Sequence, residues 1–229
     1  MRSSISKDTG PSGRGSVRHR VGRPSGPAPD PAVRREELLD AAERVIRSHG
    51  PDVGMDDIAA EIGLTKPAVY RSLGDKSQLS AALGERVAGR LAGQLGAALG
   101  SSTELRPVVS AAIGVFCRFV DEDTNVYRFV VHGSVGTRHT GLLDKPLVTR
   151  LGGLISAQLA DALDRAPGRA GVDAPGRPSP ETWSYAILGA VFAATEHWLR
   201  HRHTSRADLV EQLAGLITPA LDRHRIEPG

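Results

Sequence analysis

At 229 residues with 40% hydrophobic side chains, the chain is long enough to bury a core of one or two domains. Its one cysteine, Cys117, excludes an intramolecular disulfide, and the absence of an apolar N-terminal signal region points to a cytoplasmic location. The net charge of +3 is unevenly placed: residues 1–33 hold six basic and two acidic groups, or +4, which leaves the remainder near −1.

Residues 1–30 are rich in Gly, Pro, Ser and Arg and have little to bury, which predicts a disordered basic arm. Within it, Gly22-Arg23-Pro24 resembles the core of an AT-hook. Such an arm suits contacts to phosphates or a minor groove, and equally suits a solubilising tail. Asp30-Pro31 reads as the cap and first residue of a helix, with Leu38, Leu39, Ala42, Val45 and Ile46 at helical spacing. His49-Gly50-Pro51 ends that helix. Met55–Lys76 then reads as two short helices joined by a turn at Gly63, followed by the start of a third. Thr65 is placed to cap the second short helix, and Pro67 fits its first turn. Such a unit is a helix-turn-helix, whose second helix enters a DNA major groove.

Asp75 and Gln78 have the layout of a capping box and open a long helix to about Leu99. Further helices are predicted over Glu104–Glu122, Asp123–Val131, Lys145–Ala166, Pro180–His201 and Ser205–His224, with loops over 133–139 and 167–180. No strand pattern is present. The uncharged run Trp183–Thr195 is too short to cross a bilayer, so no membrane partner is expected. The fold class is therefore all-α, with about nine helices.

Leu39, Ala41-Ala42, Gly50, Asp57-Ile58-Ala59, Gly63-Leu64-Thr65-Lys66, Val69-Tyr70, Lys76 and Leu79 form a long pattern at fixed spacing. It resembles the DNA-binding domain of the TetR family of transcriptional regulators. The resemblance implies three parts: a basic arm over 1–30, a helix-turn-helix domain of three helices over 31–79, and an α-helical ligand-binding and dimerisation domain over 80–229. Two departures stand out. Ser72-Leu73 replaces the histidine and phenylalanine common after the tyrosine, and Val53-Gly54 replaces the usual hydroxyl residue before the first helix of the pair.

The implied function is a homodimeric, ligand-responsive regulator, most simply a repressor, that binds a palindromic double-stranded operator and is no enzyme. Expected DNA contacts are Thr65, Lys66, Ala68, Tyr70, Arg71 and Lys76, with Arg34 and Arg35 beside them. Residues 34–79 hold seven basic and nine acidic groups, too weak a field to find a site alone. A dimer interface is expected on the last two helices, at Tyr185, Leu188, Val191, Leu199, Leu209, Leu213 and Leu216. A pocket for a small apolar effector is expected among Phe116, Phe119, Val120, Tyr127, Phe129, Leu151, Ile155, Trp183, Phe192 and Trp198.

Phe116, Phe119, Asp123, Tyr127-Arg128 and Trp198-Leu199 are also similar to actinobacterial TetR-type regulators that sense long-chain acyl-CoA. That implies a fatty acyl-CoA effector, although no basic cluster lies between 104 and 165. No metal or cofactor is expected. His197, His201 and His203 are accounted for by their place at a helix C-terminus. The alternative is an α-helical lipid carrier or enzyme that uses the helix-turn-helix only for packing. No nucleophile motif, paired carboxylates or phosphate-binding glycine loop supports it.

Overall fold

The computed structural model describes residues 30–100, 102–132, 145–165 and 179–223, and all regular structure among them is helical. The basic arm with Gly22-Arg23-Pro24, and nearly all of the loops expected over 133–139 and 167–180, lie outside the described residues. The helices are α1 Pro31–His49, α2 Met55–Glu61, α3 Lys66–Leu73, α4 Lys76–Leu99, α5 Leu105–Glu122, α6 Thr124–His132, α7 Pro146–Arg165, α8 Pro180–His201 and α9 Arg206–Arg223. The all-α expectation holds, with helix ends within two residues of those read from the sequence.

Local chemistry sets the ends of the first four helices. Asp30 Oδ1 accepts the Ala32 N–H at 2.9 Å. Asp75 Oδ1 accepts the Gln78 N–H at 2.8 Å while Gln78 Oε1 accepts the Asp75 N–H at 3.0 Å, a complete capping box. Gly54 has no side chain to cap α2, but Asp57 Oδ2 accepts the Gly54 N–H at 3.1 Å. Thr65 occupies the cap position of α3 without a capping hydrogen bond from its hydroxyl. The turns on either side of α3 rest on glycines in the left-handed region, Gly63 at φ +69° and Gly74 at φ +75°. A Cβ on Gly74 would lie 2.0 Å from Gln78 Oε1, so a side chain there would also disrupt the capping box that starts α4.

Helices α1–α3 bury Leu39, Ala42, Ile46, Ile58, Ala59, Val69 and Leu73. The face of α4 that carries Leu79, Leu83, Val87, Leu91 and Leu95 extends the same core toward the C-terminal helices. With 24 residues at 1.5 Å each, α4 is about 36 Å long. It packs against α5 and α7, while α5 runs along α9 and α7 along α8.

The short helix α6 pins the two halves together. Asn125 Nδ2 donates to the Arg47 carbonyl at 2.9 Å, near the end of α1. Ser80 of α4 donates to the Phe129 and Val130 carbonyls at 3.2 and 3.3 Å, in the last turn of α6, where intrahelical donors run out. Beside it lies a charged seam between α1 and α4. Glu43 is 4% exposed and meets Arg90 at 2.8 Å, Arg47 at 3.1 Å and Arg86 at 4.0 Å. Arg86 also pairs with Asp40 and with Glu36. The hydrogen bond from Arg86 holds the Asp40 carboxyl below its ordinary value.

Candidate nucleic-acid interface and effector cavity

Val69 and Leu73 anchor α3 in the core, and its opposite face is open. Thr65, Lys66, Tyr70 and Arg71 are exposed there and Ala68 is half-buried. Tyr70, at 46% exposure, is one of the few large apolar-bodied side chains left in water among the described residues. Arg34 and Arg35 are exposed on the first turn of α1. Hence α3 offers hydroxyl, ammonium, phenol and guanidinium groups on one rigid face, the donor types that read guanine and grip phosphate.

Two of the expected cations are held by the protein itself. Lys66 Nζ lies 2.5 Å from Asp56 Oδ2 of α2, and that hydrogen bond raises the lysine pKa. An acid at this place repels phosphate and partly neutralises Lys66. Asp56→Asn is expected to tighten DNA binding, by roughly two- to fivefold at 0.1 M salt, with a steeper salt dependence. Fluorescence-anisotropy titrations at several salt concentrations would measure it, and unchanged affinity would remove Asp56 from the interface. Lys76 is half-buried. Its Nζ donates to the Pro51 carbonyl at 3.3 Å and lies 5.3 Å from the Phe129 ring centroid, so it bridges the α1–α2 turn and α6.

Inside the C-terminal helices is a cavity of about 160 Å³. Its walls are Leu95 and Leu99 of α4; Leu105, Val108, Val109, Ala112, Ile113 and Phe116 of α5; Leu151, Leu154, Ile155, Gln158, Leu159 and Ala162 of α7; Ile187, Leu188 and Val191 of α8; and Ile217 and Leu221 of α9. Gln158 is the one polar side chain among them. A space with this lining suits apolar molecules.

Of the ten residues expected at the pocket, Phe116, Leu151 and Ile155 line this cavity. Val120, Tyr127, Phe129 and Phe192 are buried elsewhere in the core. Phe119 borders a separate polar cleft with Arg90 and Arg118, and Trp183 faces an outer groove. Trp198 is 2% exposed, donates its indole N–H to the Thr204 carbonyl at 2.8 Å and lies under the Arg202 guanidinium. The physical reason is mutual packing of the aromatics. Phe116 sits 4.4 Å from Phe192 and 6.2 Å from Tyr127, while Phe119 sits 6.1 Å from Tyr127, centroid to centroid. Of these only Phe116 reaches the cavity, whose walls are otherwise mostly branched aliphatics. The aliphatic spacing was visible in the sequence, but nothing in it separates cavity lining from ordinary core.

Within this aromatic cluster Tyr127 Oη donates to Glu196 Oε1 at 2.6 Å, and His132 Nε2 lies 3.0 Å from the same oxygen. Burial, with the carboxylate beside it, pushes the Tyr127 phenol up, so it stays protonated and donates. Burial also pushes Glu196 up, but the hydrogen bonds from Tyr127 and His132 outweigh it and leave the carboxyl below its ordinary 4.5. A depressed folded-state pKa contributes stability above 4.5, lost as pH falls through the folded value. Tyr127→Phe is expected to cost about 1.5 kcal/mol at pH 7, with the gap from wild type closing as pH drops below 4.5. Denaturant unfolding at pH 7 and pH 3.5 checks this, and a pH-independent gap would exclude the carboxylate as its source.

The expected dimer residues are also mostly interior. Leu188, Val191, Leu199, Leu209 and Leu213 are buried within the protomer, and Tyr185 is half-buried against α7, where a Cβ on Gly152 would lie 3.0 Å from its ring. Leu216 alone of the seven is open, at 67% exposure. Most large side chains of α8 turn toward α7, α5 and the cavity, while Ala186, Gly189 and Ala193 are exposed on its outer face and Trp183 borders the groove there. Cys117 is fully buried, and burial pushes its thiol up, as expected of an inert cysteine.

Comparison with known proteins follows the same division. Residues 38–83 match the family model of bacterial regulatory proteins of the tetR family, and residues 94–226 match the tetracyclin repressor-like C-terminal domain. The chain is 33% identical over 189 residues to an uncharacterized HTH-type transcriptional regulator, Rv0472c of Mycobacterium tuberculosis, covering 82% of this chain and 77% of that one. It is 34% identical over 98 residues to the HTH-type transcriptional activator FasR of Mycolicibacterium smegmatis, covering 42% and 45%. Among solved structures, the regulator FadR from Bacillus subtilis in complex with stearoyl-CoA superposes with a TM-score of 0.62 at 14% identity, covering 80% of this chain and 96% of that one. With its helix-turn-helix, its nine described helices and both domain models matched, the chain belongs to the TetR family of transcriptional regulators.

Proposed function

We propose that the protein is a homodimeric repressor whose α3 helices enter successive major grooves of a palindromic operator and whose cavity takes an apolar effector with a fatty acyl chain. One observation supports this most: α4 is a single helix that starts one turn after the recognition helix and ends in the cavity wall at Leu95 and Leu99. A displacement at the wall is therefore carried to the unit that holds α3, and effector and DNA affinities must be reciprocally coupled. The acyl class is supported by the aliphatic lining and by the stearoyl-CoA and lauroyl-CoA complexes of similarly folded FadR proteins. Without a charged lining group, the cavity suits the acyl chain and leaves the coenzyme phosphates outside.

Mobility shift of DNA flanking its own gene, with and without palmitoyl-CoA, tests the reading. A sequence-selective shift that palmitoyl-CoA releases is expected. No binding at low salt would overturn it in favour of a lipid carrier. Within the complex, Arg71→Ala is expected to cost about 1–3 kcal/mol and to relax preference at one operator position, whereas Tyr70→Ala weakens binding to all sequences alike. Affinity measured against an operator and its single-base variants separates the two effects.

A further inference from the structure

Helices α5 and α7 each pack on α4 but hardly on each other. The gap between them is the open side of the cavity. Leu105, Val109 and Ala112 of α5 are half-buried along it, as are Leu154, Ile155 and Gln158 of α7. Behind them Phe116, Leu188, Val191 and Ile217 are buried. The cavity therefore has an inner end against α8 and α9 and a mouth between α5 and α7.

The one polar side chain of the lining stands at this mouth. On α7 Leu151, Leu154, Ile155, Leu159 and Ala162 follow the spacing of an apolar helix face, and Gln158 interrupts it. Among the described residues nothing pairs with its carboxamide. Nor is that carboxamide sealed in: the sealed, unpaired side-chain atoms of the described residues are Arg86 Nη1 and Thr218 Oγ1. Its donor and acceptor are thus open to whatever occupies the mouth. An apolar chain that covers a carboxamide strips it of water, which is costly unless the chain brings a hydrogen-bonding partner.

We propose that Gln158 is the specificity residue of the cavity: its side-chain N–H donates to the carbonyl oxygen of an acyl chain whose hydrocarbon lies inside, so the site selects an acylated chain over a plain alkyl chain. This rests on the acyl-binding reading above and deepens it. The chain enters methyl end first, because the inner end of the cavity offers no polar group. Its first polar atom, the carbonyl oxygen, is then left at the mouth, where Gln158 stands. The coenzyme phosphates lie beyond it in water. A ligand without the carbonyl covers the carboxamide and leaves it unpaired, so it binds more weakly by the desolvation cost of that group. A few placed polar groups in an apolar lining fix orientation and specificity in this way.

The test is isothermal calorimetry of the full chain with two ligands that differ only at the carbonyl: lauroyl-CoA, a thioester, and S-dodecyl-CoA, the thioether with a methylene in its place. Wild type is expected to bind lauroyl-CoA about tenfold more tightly than the thioether. In Gln158→Leu the two affinities are expected to agree within about twofold, with the thioether bound at least as tightly as by wild type. Gln158 has no partner among the described residues, so the substitution breaks no bond there. Circular dichroism checks the fold, and Gln158→Met is the second variant should leucine disturb it. A wild-type preference below about twofold, or a preference that survives in the variants, overturns the inference while the acyl-binding reading stands. If neither ligand binds wild type, that reading fails and the inference fails with it.

Discussion

Leu216→Arg is expected to leave the helical content unchanged and to abolish specific operator binding. The side chain is 67% exposed, so the substitution costs little in the protomer. In a dimer closed across α8 and α9, it places two unpaired guanidinium groups in an apolar trough, where desolvation opposes association. A lone α3 covers too little DNA for specificity. Operator affinity should then fall toward the nonspecific level, on the order of a thousandfold at moderate salt. Sedimentation and anisotropy on the same sample check it together. A dimer that persists with full affinity would move the interface away from Leu216.

Glu43→Ala is expected to destabilise the protein by about 2–3 kcal/mol and to loosen α1 from α4. Glu43 is the one buried acid among Arg47, Arg86 and Arg90; its removal takes away the acid that Arg90 meets, while Arg47 keeps Asp123 and Arg86 keeps Asp40 and Glu36. A wholly buried pair broken this way costs about 3–5 kcal/mol. Here the arginine side chains keep 43%, 25% and 45% exposure, so solvent takes up part of the loss. Glu43→Gln keeps hydrogen-bonding capacity and should cost less. Urea unfolding with an unchanged m-value measures the difference. A midpoint equal to that of wild type would show that the seam contributes nothing. Because this seam and Lys76 tie the DNA-binding helices to α4, the same variant should lose effector control of DNA binding before it loses DNA binding itself.

Much of the molecule is legible in the amino-acid sequence. Asp30-Pro31, Gly50, Gly63 and the Asp75/Gln78 pair are local signals, set by which backbone groups a helix end leaves unpaired, and they placed the helix ends within two residues. The spacing of Gly63-Leu64-Thr65-Lys66 and Val69-Tyr70 placed the recognition helix and its exposed face for the same reason: seven or eight residues of one helix have a single geometry. The positive φ of Gly74 is set by the two-residue turn between α3 and α4, and the closeness of Gln78 to it only by how that side chain folds back.

Tertiary structure decided the rest. Periodicity identifies a residue as apolar but does not say whether it meets a neighbour or a void. Tyr127 and Phe192, expected at the pocket, therefore pack into the core behind Phe116, while Leu95, Ile187 and Leu221 became cavity walls. Large side chains of α8 seemed to suit a partner and were used inside, because α7 and α5 claim them. The outer face was left mostly to alanines, with Trp183 of α8 and Leu216 of α9 beside them. Lys66 and Lys76 carry charge in any fold, but only the packing of α2 and α6 sets what that charge meets. Sequence determined which helices form and which face of α3 reaches outward. The packing of α8 and α9 determined that the internal cavity and the outer groove share Ile187, Ile217 and Leu221.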